Sequence, residues 1–394
     1  MRGWGTAVLG AAIVVFLCAG IWLGGHPAKL PEFVRDLLID DSAGLTVEAT
    51  ELIEDNYYRA VESQELTDAS LQGMVRELRR SNDDRFSEYF SPAALERFNE
   101  AISGRFSGVG LSVSQVKQGL RVDRVFPGSP AERAGIEVGE LIVSVEGDSI
   151  AGESSRASTE KIKGPEGTEV TLGLRDPRDG RTRELEITRA QISLPIVTEK
   201  VVKTEGRKLG YVRLAGFTEG VHAPLREAIE KLQRKGVKGL VLDLRANGGG
   251  LLEEAVLTAS IFLPEDEVVV KTESRTQGDA VYETVGDNLP TLPTVVLIDG
   301  NTASAAEILT AALADNADAE VVGTRSYGKG VFQQEIGLSN GGALKLTIGE
   351  YFTPDGVNLA RSRGIHPDVE AQDRPQTRRD EALARALAEL ASQQ

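Results

Sequence analysis

Three short stretches of the sequence carry residue types that can do chemistry. The first is Val295 to Leu313, "VVLIDGNTASAAEILTAAL", which sets Ser304 at the start of a helical pattern among Gly300, Ala303, Ala305 and Ala306. Small neighbours leave its hydroxyl uncovered, as a nucleophile requires. A serine at a helix start is also an ordinary N-cap, whose oxygen accepts a backbone N–H. Glu307 stands in the first turn, where the helix dipole favours a negative charge, and reads as structural. No histidine lies near Ser304 in sequence, so a base for it must come from elsewhere in the chain.

The second stretch is Gly323 to Gln334, "GTRSYGKGVFQQ". Gly323 to Lys329 fits the G-x-x-x-x-G-K pattern of a phosphate-binding loop, but Gly330 stands where a Ser or Thr must hold magnesium. The loop also runs into the strand-like "VFQQEIGL" instead of the helix N-terminus that a phosphate needs. What remains is Lys329 between two glycines, with Gln333 four residues on. In an extended strand, residues two and four apart share a face. A solvated turn lysine is the plain alternative. The third stretch, Asp243 to Ala255 or "DLRANGGGLLEEA", leaves backbone N–H groups bare between a buried strand and a helix. It is either a flexible turn or a set of donors for a developing oxyanion.

These pieces make one chemically coherent set. A lysine can activate a serine in place of histidine, provided that the amine is neutral at working pH. Burial disfavours the ammonium and supplies that condition. A glutamine can hold the amine by a hydrogen bond without adding a charge that would restore the ammonium, so Ser304, Lys329 and Gln333 can act together.

The elements that must position them follow from the pattern of the chain. Its 394 residues allow two or three domains. Gly3 to Gly25 carries no charge, and roughly 20 apolar residues span a bilayer core. Arg2 precedes it, so the positive-inside rule places the remainder outside the cytoplasm. The expected segment is an uncleaved transmembrane anchor (residues 1–28); a cleaved signal peptide is the competitor. A lipid on Cys18 fits poorly after the bulky Phe16-Leu17 pair. A linker (29–44) and a helical region (45–105) follow. Residues 106–191 switch to short strands with glycine turns. From 192 to 372 strand and helix alternate, which argues an α/β core with a largely parallel sheet, its site at the carboxyl ends of the strands. The tail 373–394 places Leu383, Leu387 and Leu390 at helical spacing, a docking or dimer helix through which a homo-oligomer could form.

Composition removes several function classes. With 60 acidic against 44 basic side chains the net charge is −16, which argues against nucleic acid as a partner. Cys18 is the sole cysteine and only three histidines occur, His26, His222 and His366. No HExxH pattern or Cys/His cluster is present, so neither a metal nor another cofactor is expected.

The order of the segments carries a resemblance. "GVGLSV" followed by "PGSPAERAGIEVGELIVSVEGDSI" resembles a PDZ domain. Together with "KGPEGTEV", "DLRANGGGLL", "NTASAAEI", "GTRSYGKGVFQ" and "LTIGEYFTPDGVNL…GIHPDVE", the chain from about Thr46 to Val369 resembles the carboxyl-terminal processing, or tail-specific, proteases. The resemblance implies a ClpP/crotonase-like α/β catalytic body with an inserted PDZ domain, and a serine endopeptidase without metal or cofactor. It implies Ser304 as nucleophile, Lys329 as general base, Gln333 as its partner, and the N–H groups of Gly249 and Ala305 as oxyanion donors. The PDZ loop Gly108, Val109, Gly110 and Leu111 would hold a substrate's terminal carboxylate, so the partners are protein or peptide tails. A non-catalytic PDZ adaptor capturing such tails is the alternative. Two departures stand out. Gly248 replaces the family's proline, which frees φ in the oxyanion loop and predicts a geometry completed by substrate. Lys163 stands where the family often has an arginine that couples the PDZ domain to the site, and lysine lacks the planar fork of donors.

Overall fold

The computed structural model describes residues 41–103, 105–193, 196–204, 206–373 and 379–393. The segment Gly3–Gly25 and nearly all of the expected linker lie outside them. Among the described residues no helix is long and apolar enough to cross a membrane. Contacts divide the described residues into two units: 41–91 with Glu335–Leu346, and those from Pro92 to Gln334 with those from Thr347 onward.

The first unit opens with α1 (Asp41–Asn56), which begins inside the expected linker, and α2 (Ser63–Ser81). The short β1 (Glu88–Phe90) pairs antiparallel with Ala343–Lys345. The Tyr89 hydroxyl donates to Asp68 on α2 at 2.7 Å, tying strand to helix.

In the second unit α3 (Pro92–Ser103) starts at a proline, where its missing N–H costs nothing. Then β2 (Arg105–Gly108), β3 (Leu111–Val116), β4 (Gly119–Val125), α4 (Pro130–Arg133), β5 (Leu141–Val145), β6 (Asp148–Ser149), α5 (Ser155–Ile162), β7 (Glu169–Arg175), β8 (Thr182–Thr188) and β9 (Ala190–Ser193) make the β-rich region. Its sheet runs β3-β4-β5-β7-β8, with β3 at one edge, β6 beside β5, and β2 pairing β9 separately. Val122, Ile142, Leu172 and Leu174 fill its core with Ala131 of α4 and Ile162 of α5.

The α/β region comprises β10 (Val197–Thr204), β11 (Arg207–Leu214), α6 (His222–Arg234), β12 (Leu240–Asp243), α7 (Leu252–Phe262), β13 (Val268–Ser274), β14 (Ala280–Glu283), β15 (Thr294–Ile298), α8 (Ala305–Ala317), β16 (Glu320–Gly323), β17 (Val331–Gly337), β18 (Ala343–Phe352), β19 (Val369–Glu370) and α9 (Glu381–Ser392). Its central sheet runs β10-β11-β12-β15-β16-β19, parallel from β11 onward with β10 antiparallel at the edge. Strand side chains alternate between faces, and here both faces are apolar. Leu240, Leu242, Val296 and Ile298 meet α6, α7 and α8 on one side. Val241, Val295, Leu297 and Val322 meet Leu383, Ala386 and Leu390 of α9 on the other. The apolar stripe of the tail helix is therefore covered by its own sheet, and that stripe is not available for dimerisation.

One expectation needs correction. The segment "EVVVKTESR" reads as a further member of the alternating sheet. As β13 it instead pairs antiparallel with β14 and with Gly349–Phe352 of β18, and β17 joins β18. An antiparallel pair needs only a tight turn, whereas a parallel one needs a crossover. Residues 275–279 between β13 and β14 supply that turn.

Candidate active site

The loops that follow β12, β15 and β16 converge at the carboxyl ends of the parallel strands, stitched by named bonds. Ala303 N–H donates to the Asn247 carbonyl at 3.0 Å and Tyr327 N–H to the Thr302 carbonyl at 3.0 Å. Thr302 Oγ1 donates to the Leu244 carbonyl at 2.9 Å, and Ala246 N–H to Asp299 Oδ1 at 2.9 Å. Each loop thus leans on the next, and none depends on its own sequence alone.

Ser304 sits at the turn into α8 with φ 56° and ψ −122°. An N-cap residue normally has extended backbone. This conformation is sparsely populated for a residue with a Cβ and costs about 1–3 kcal/mol, which the surrounding bonds must hold. The main restraint is Glu307, fully buried. Its Oε2 accepts the Ser304 N–H at 2.9 Å and the Lys329 N–H at 3.0 Å. Its Oε1 accepts the Gly328 N–H at 2.7 Å and the Ser326 hydroxyl at 2.5 Å. One carboxylate oxygen thus binds the backbone of the serine turn and of the lysine loop, so the two amides lie no further apart than those two bonds allow. The Ser-Ala-Ala-Glu spacing is a visible signal for the bond within the turn. Nothing in the sequence signals the bonds to residues 326–329.

Lys329 is half-buried and precedes β17. Gln333 lies in β17, and its amide nitrogen donates to Thr347 Oγ1 of β18 at 3.4 Å.

The glycine loop meets the serine turn directly. A Cβ on Gly249 would fall 2.7 Å from Ser304 Cβ, 2.7 Å from the Ala303 oxygen and 2.9 Å from the Ala305 nitrogen, and its φ is +93°. Only glycine fits, and its backbone lies against the Ala305 N–H. The Gly249 N–H itself donates to Asn247 Oδ1 at 2.9 Å, while the buried Asn247 Nδ2 donates to the Leu214 carbonyl at 2.9 Å. Phe217 N–H donates to the Gly249 carbonyl at 3.0 Å, and Leu251 N–H to the Phe217 carbonyl at 2.8 Å. The loop is therefore bonded on both sides of Gly248.

Tyr351, 2% exposed, belongs to the same core as Ala305 and Ala306. Its hydroxyl is buried and has no hydrogen-bond partner among the described residues. Burial, and then the Glu307 charge, push its pKa well above the usual tyrosine value, with the Ser304 hydroxyl opposing them in part. Sequence gives no signal for it beyond an aromatic residue in a strand. Among the described residues no group of three or more His, Cys, Asp or Glu is placed to hold a metal ion.

In the β-rich region the glycine loop Gly108–Leu111 is shaped by its carbonyls. The Val109 oxygen accepts the Ala131 N–H at 2.8 Å and the Gly110 oxygen the Phe126 N–H at 3.0 Å. A trans peptide points its C=O and the following N–H in opposite directions, so the Gly110 and Leu111 N–H groups face away from those contacts. Gly110 has φ +85°, and a Cβ there would fall 2.2 Å from Ser129 Cβ. Lys163 caps α5 and pairs with Glu100 of α3 at 3.5 Å, both partly exposed.

Comparison with known proteins fits this architecture. The model of peptidase family S41 matches residues 208–371, and that of the PDZ domain residues 98–175. A carboxy-terminal processing protease, CtpA of Bacillus subtilis (strain 168), is 31% identical over 368 residues, 93% of this chain and 75% of that one. A probable CtpA-like serine protease of Staphylococcus aureus (strain N315) is 35% identical over 81% of this chain, which spans 62% of that relative's length. Among solved structures, a photosystem II D1 C-terminal processing protease aligns with TM-score 0.50 and 28% identity, covering 85% of this chain and 94% of that one. An S41 protease from Bacteroides fragilis NCTC 9343 shares the fold, with TM-score 0.54, 19% identity, and coverage of 93% of this chain and 100% of that one. The chain belongs to the carboxy-terminal processing proteases of peptidase family S41, serine-type peptidases, here with a PDZ domain.

Proposed function

We propose that this protein is an endopeptidase that cleaves exported proteins near their carboxyl termini through a Ser-Lys dyad. Ser304 Oγ attacks the scissile carbonyl carbon as its proton passes to Lys329 Nζ. The lysine then returns that proton to the leaving amine, and water hydrolyses the acyl-enzyme by the same route. Gln333 holds the amine through its amide oxygen, its nitrogen being engaged with Thr347. The N–H groups of Ala305 and Gly249 receive the oxyanion, and Asn247 must share or yield the Gly249 N–H when it forms.

The observation that carries this reading is the Glu307 carboxylate, which binds the backbone of Ser304 and of Lys329 at once. A turn lysine with no role beside the serine would need no such tie. The test is purified Ser304→Ala, Lys329→Ala and the double variant. Each should lose peptide cleavage with its fold intact, and the double should be no worse than either single, because the pair acts as a unit. Substantial cleavage by Lys329→Ala would overturn the assignment.

The reading extends to the PDZ domain and to the membrane. The substrate tail adds as a strand along the open edge of β3, its carboxylate at the Gly110 and Leu111 N–H groups. The uncharged segment Gly3–Gly25 tethers the enzyme, with its catalytic part outside the cytoplasm. Amino-terminal sequencing of native protein tests the tether; a start after the segment would refute it.

A further inference from the structure

Tyr351 is a buried polar residue near the serine turn with no part in the mechanism above. It is reached from three sides. Its N–H donates to the Gly330 carbonyl at 3.1 Å, one residue beyond Lys329. The Asn358 amide nitrogen reaches the same Gly330 carbonyl at 3.3 Å, so the strand and the end of the lysine loop are held together. The ring packs in the core that includes Ala305 and Ala306, the two residues after Ser304. Strand β13 holds the backbone in register, with Thr272 opposite Tyr351. The backbone is held, yet the hydroxyl, buried with that core, has no hydrogen-bond partner among the described residues. A buried hydroxyl without a partner is unfavourable, and its persistence calls for an account. The Ser304 hydroxyl and the Glu307 carboxylate are its polar neighbours, and the carboxylate oxygens already accept four bonds.

We infer that Tyr351 is a positioning residue for the nucleophile: its hydroxyl donates to Ser304 Oγ, which turns the serine's own O–H toward Lys329. This rests on the Ser-Lys reading. Oγ has one proton to give and lone pairs to fill. A donor on the side of Tyr351 fills one lone pair and keeps the serine proton from pointing that way, which favours the direction of Lys329. As that proton moves to Lys329 Nζ, the growing negative charge on Oγ strengthens the bond from Tyr351, since hydrogen bonds to charged acceptors are the stronger kind. No proton leaves the phenol. Its raised pKa keeps it a donor throughout the working range of an enzyme that needs a neutral lysine.

Tyr351→Phe removes one oxygen and nothing else, and the probe is a fluorophosphonate, which phosphonylates an activated serine as the P–O bond forms and fluoride leaves. The saturating rate of labelling should fall about tenfold, the effect of one hydrogen bond that strengthens in the transition state. The half-saturating probe concentration should not change, because Tyr351 does not meet the probe. Tm should be equal or higher, since a hydroxyl without a partner contributes no bond to the fold. Tyr351→Met, which also lacks the hydroxyl and fills the space with an adaptable side chain, should reproduce the loss. Labelling of Tyr351→Phe at the wild-type rate overturns the inference, as does a slower rate matched by a fall in Tm. Ser304→Ala separates the two readings. If it still labels, the Ser-Lys reading fails and this inference with it. If it is silent while Tyr351→Phe labels normally, only the role of Tyr351 fails.

Discussion

A single side chain, Glu307, binds both the serine turn and the lysine loop. Its two oxygens accept four donors: the N–H groups of Ser304, Gly328 and Lys329, and the Ser326 hydroxyl. Ser326 Oγ in turn accepts the Ile365 N–H at 2.7 Å, so the carboxylate reaches a third segment of chain. Glu307→Gln keeps the volume and places an amide donor where two N–H donors point. Each buried group left without an acceptor costs about 1–3 kcal/mol, so the variant should lose roughly 2–4 kcal/mol of stability. Activity should fall by more than the loss of stability explains, because Ser304 is no longer held at φ 56°. Thermal unfolding and fluorophosphonate labelling of the folded protein measure the two effects separately. Wild-type labelling in Glu307→Gln would show that the lysine loop finds its place without the carboxylate.

At the scale of elements, the sequence announces what lies in one stretch and not what pairs across stretches. β12 and β15 are legible because a strand buried on both faces must be a continuous apolar run, "LVLD" and "TVVLI". Their carboxyl-end loops carry the glycines and the serine, so the location of the site is legible too. The antiparallel sheet of β13, β14, β17 and β18 is not, since alternation names a strand's faces but not its neighbours. Tyr351 is hidden for the same reason: its relation to Ser304 exists only once β18 lies beside the lysine loop. The tail helix is a middle case, with its apolar stripe legible and its berth not. α9 is held at its start by Asp380, which caps the Leu383 N–H at 2.8 Å and pairs with Arg245 at 2.9 Å. Arg245 also binds Asp243 and Asp373, and lies two residues before Asn247 of the glycine loop. Burial opposes the charge on Asp380, but the bonds from Arg245 and from the Leu383 N–H outweigh it, and its pKa is lowered. A carboxylate with a lowered folded pKa stabilises the docked helix above its unfolded value, near 3.9, and loses that contribution as pH falls through the folded one. Amide protection of residues 381–392 should therefore hold at pH 7 and drop below about pH 4. Asp380→Ala should lower protection at pH 7 by about 0.5–2 kcal/mol, the effect of a lost cap, and flatten its acid dependence. Protection that is insensitive to both would mean that apolar packing alone docks the helix.

Across the whole molecule, the chemistry proposed at Ser304 would select little by itself, because an oxyanion hole accepts any peptide carbonyl. On the proposed reading selection falls to the PDZ domain, where β3 lies at the sheet edge and the Phe126 N–H bonds the Gly110 carbonyl from the β4 side. That leaves the Gly110 and Leu111 N–H groups directed away from β4, as a terminal carboxylate requires. A tail bound there adds backbone bonds along β3, and its carboxylate adds charge-assisted ones worth roughly 1.5–3 kcal/mol each. Amidating the C-terminus of a peptide substrate removes the charge and leaves the scissile bond as it was. Cleavage at low substrate concentration should then fall by about tenfold or more. The effect should lie in KM, with kcat nearly unchanged, because the tail is bound alike before and during the chemical step. Gly110→Ala should erase the preference, since the added methyl would meet Ser129 Cβ at 2.2 Å and push the loop out of shape. Its fluorophosphonate labelling should stay at the wild-type level, which separates loss of tail binding from damage at Ser304. Equal cleavage of acid and amide forms by the intact enzyme would refute tail recognition and leave a serine peptidase that chooses its substrates by other contacts.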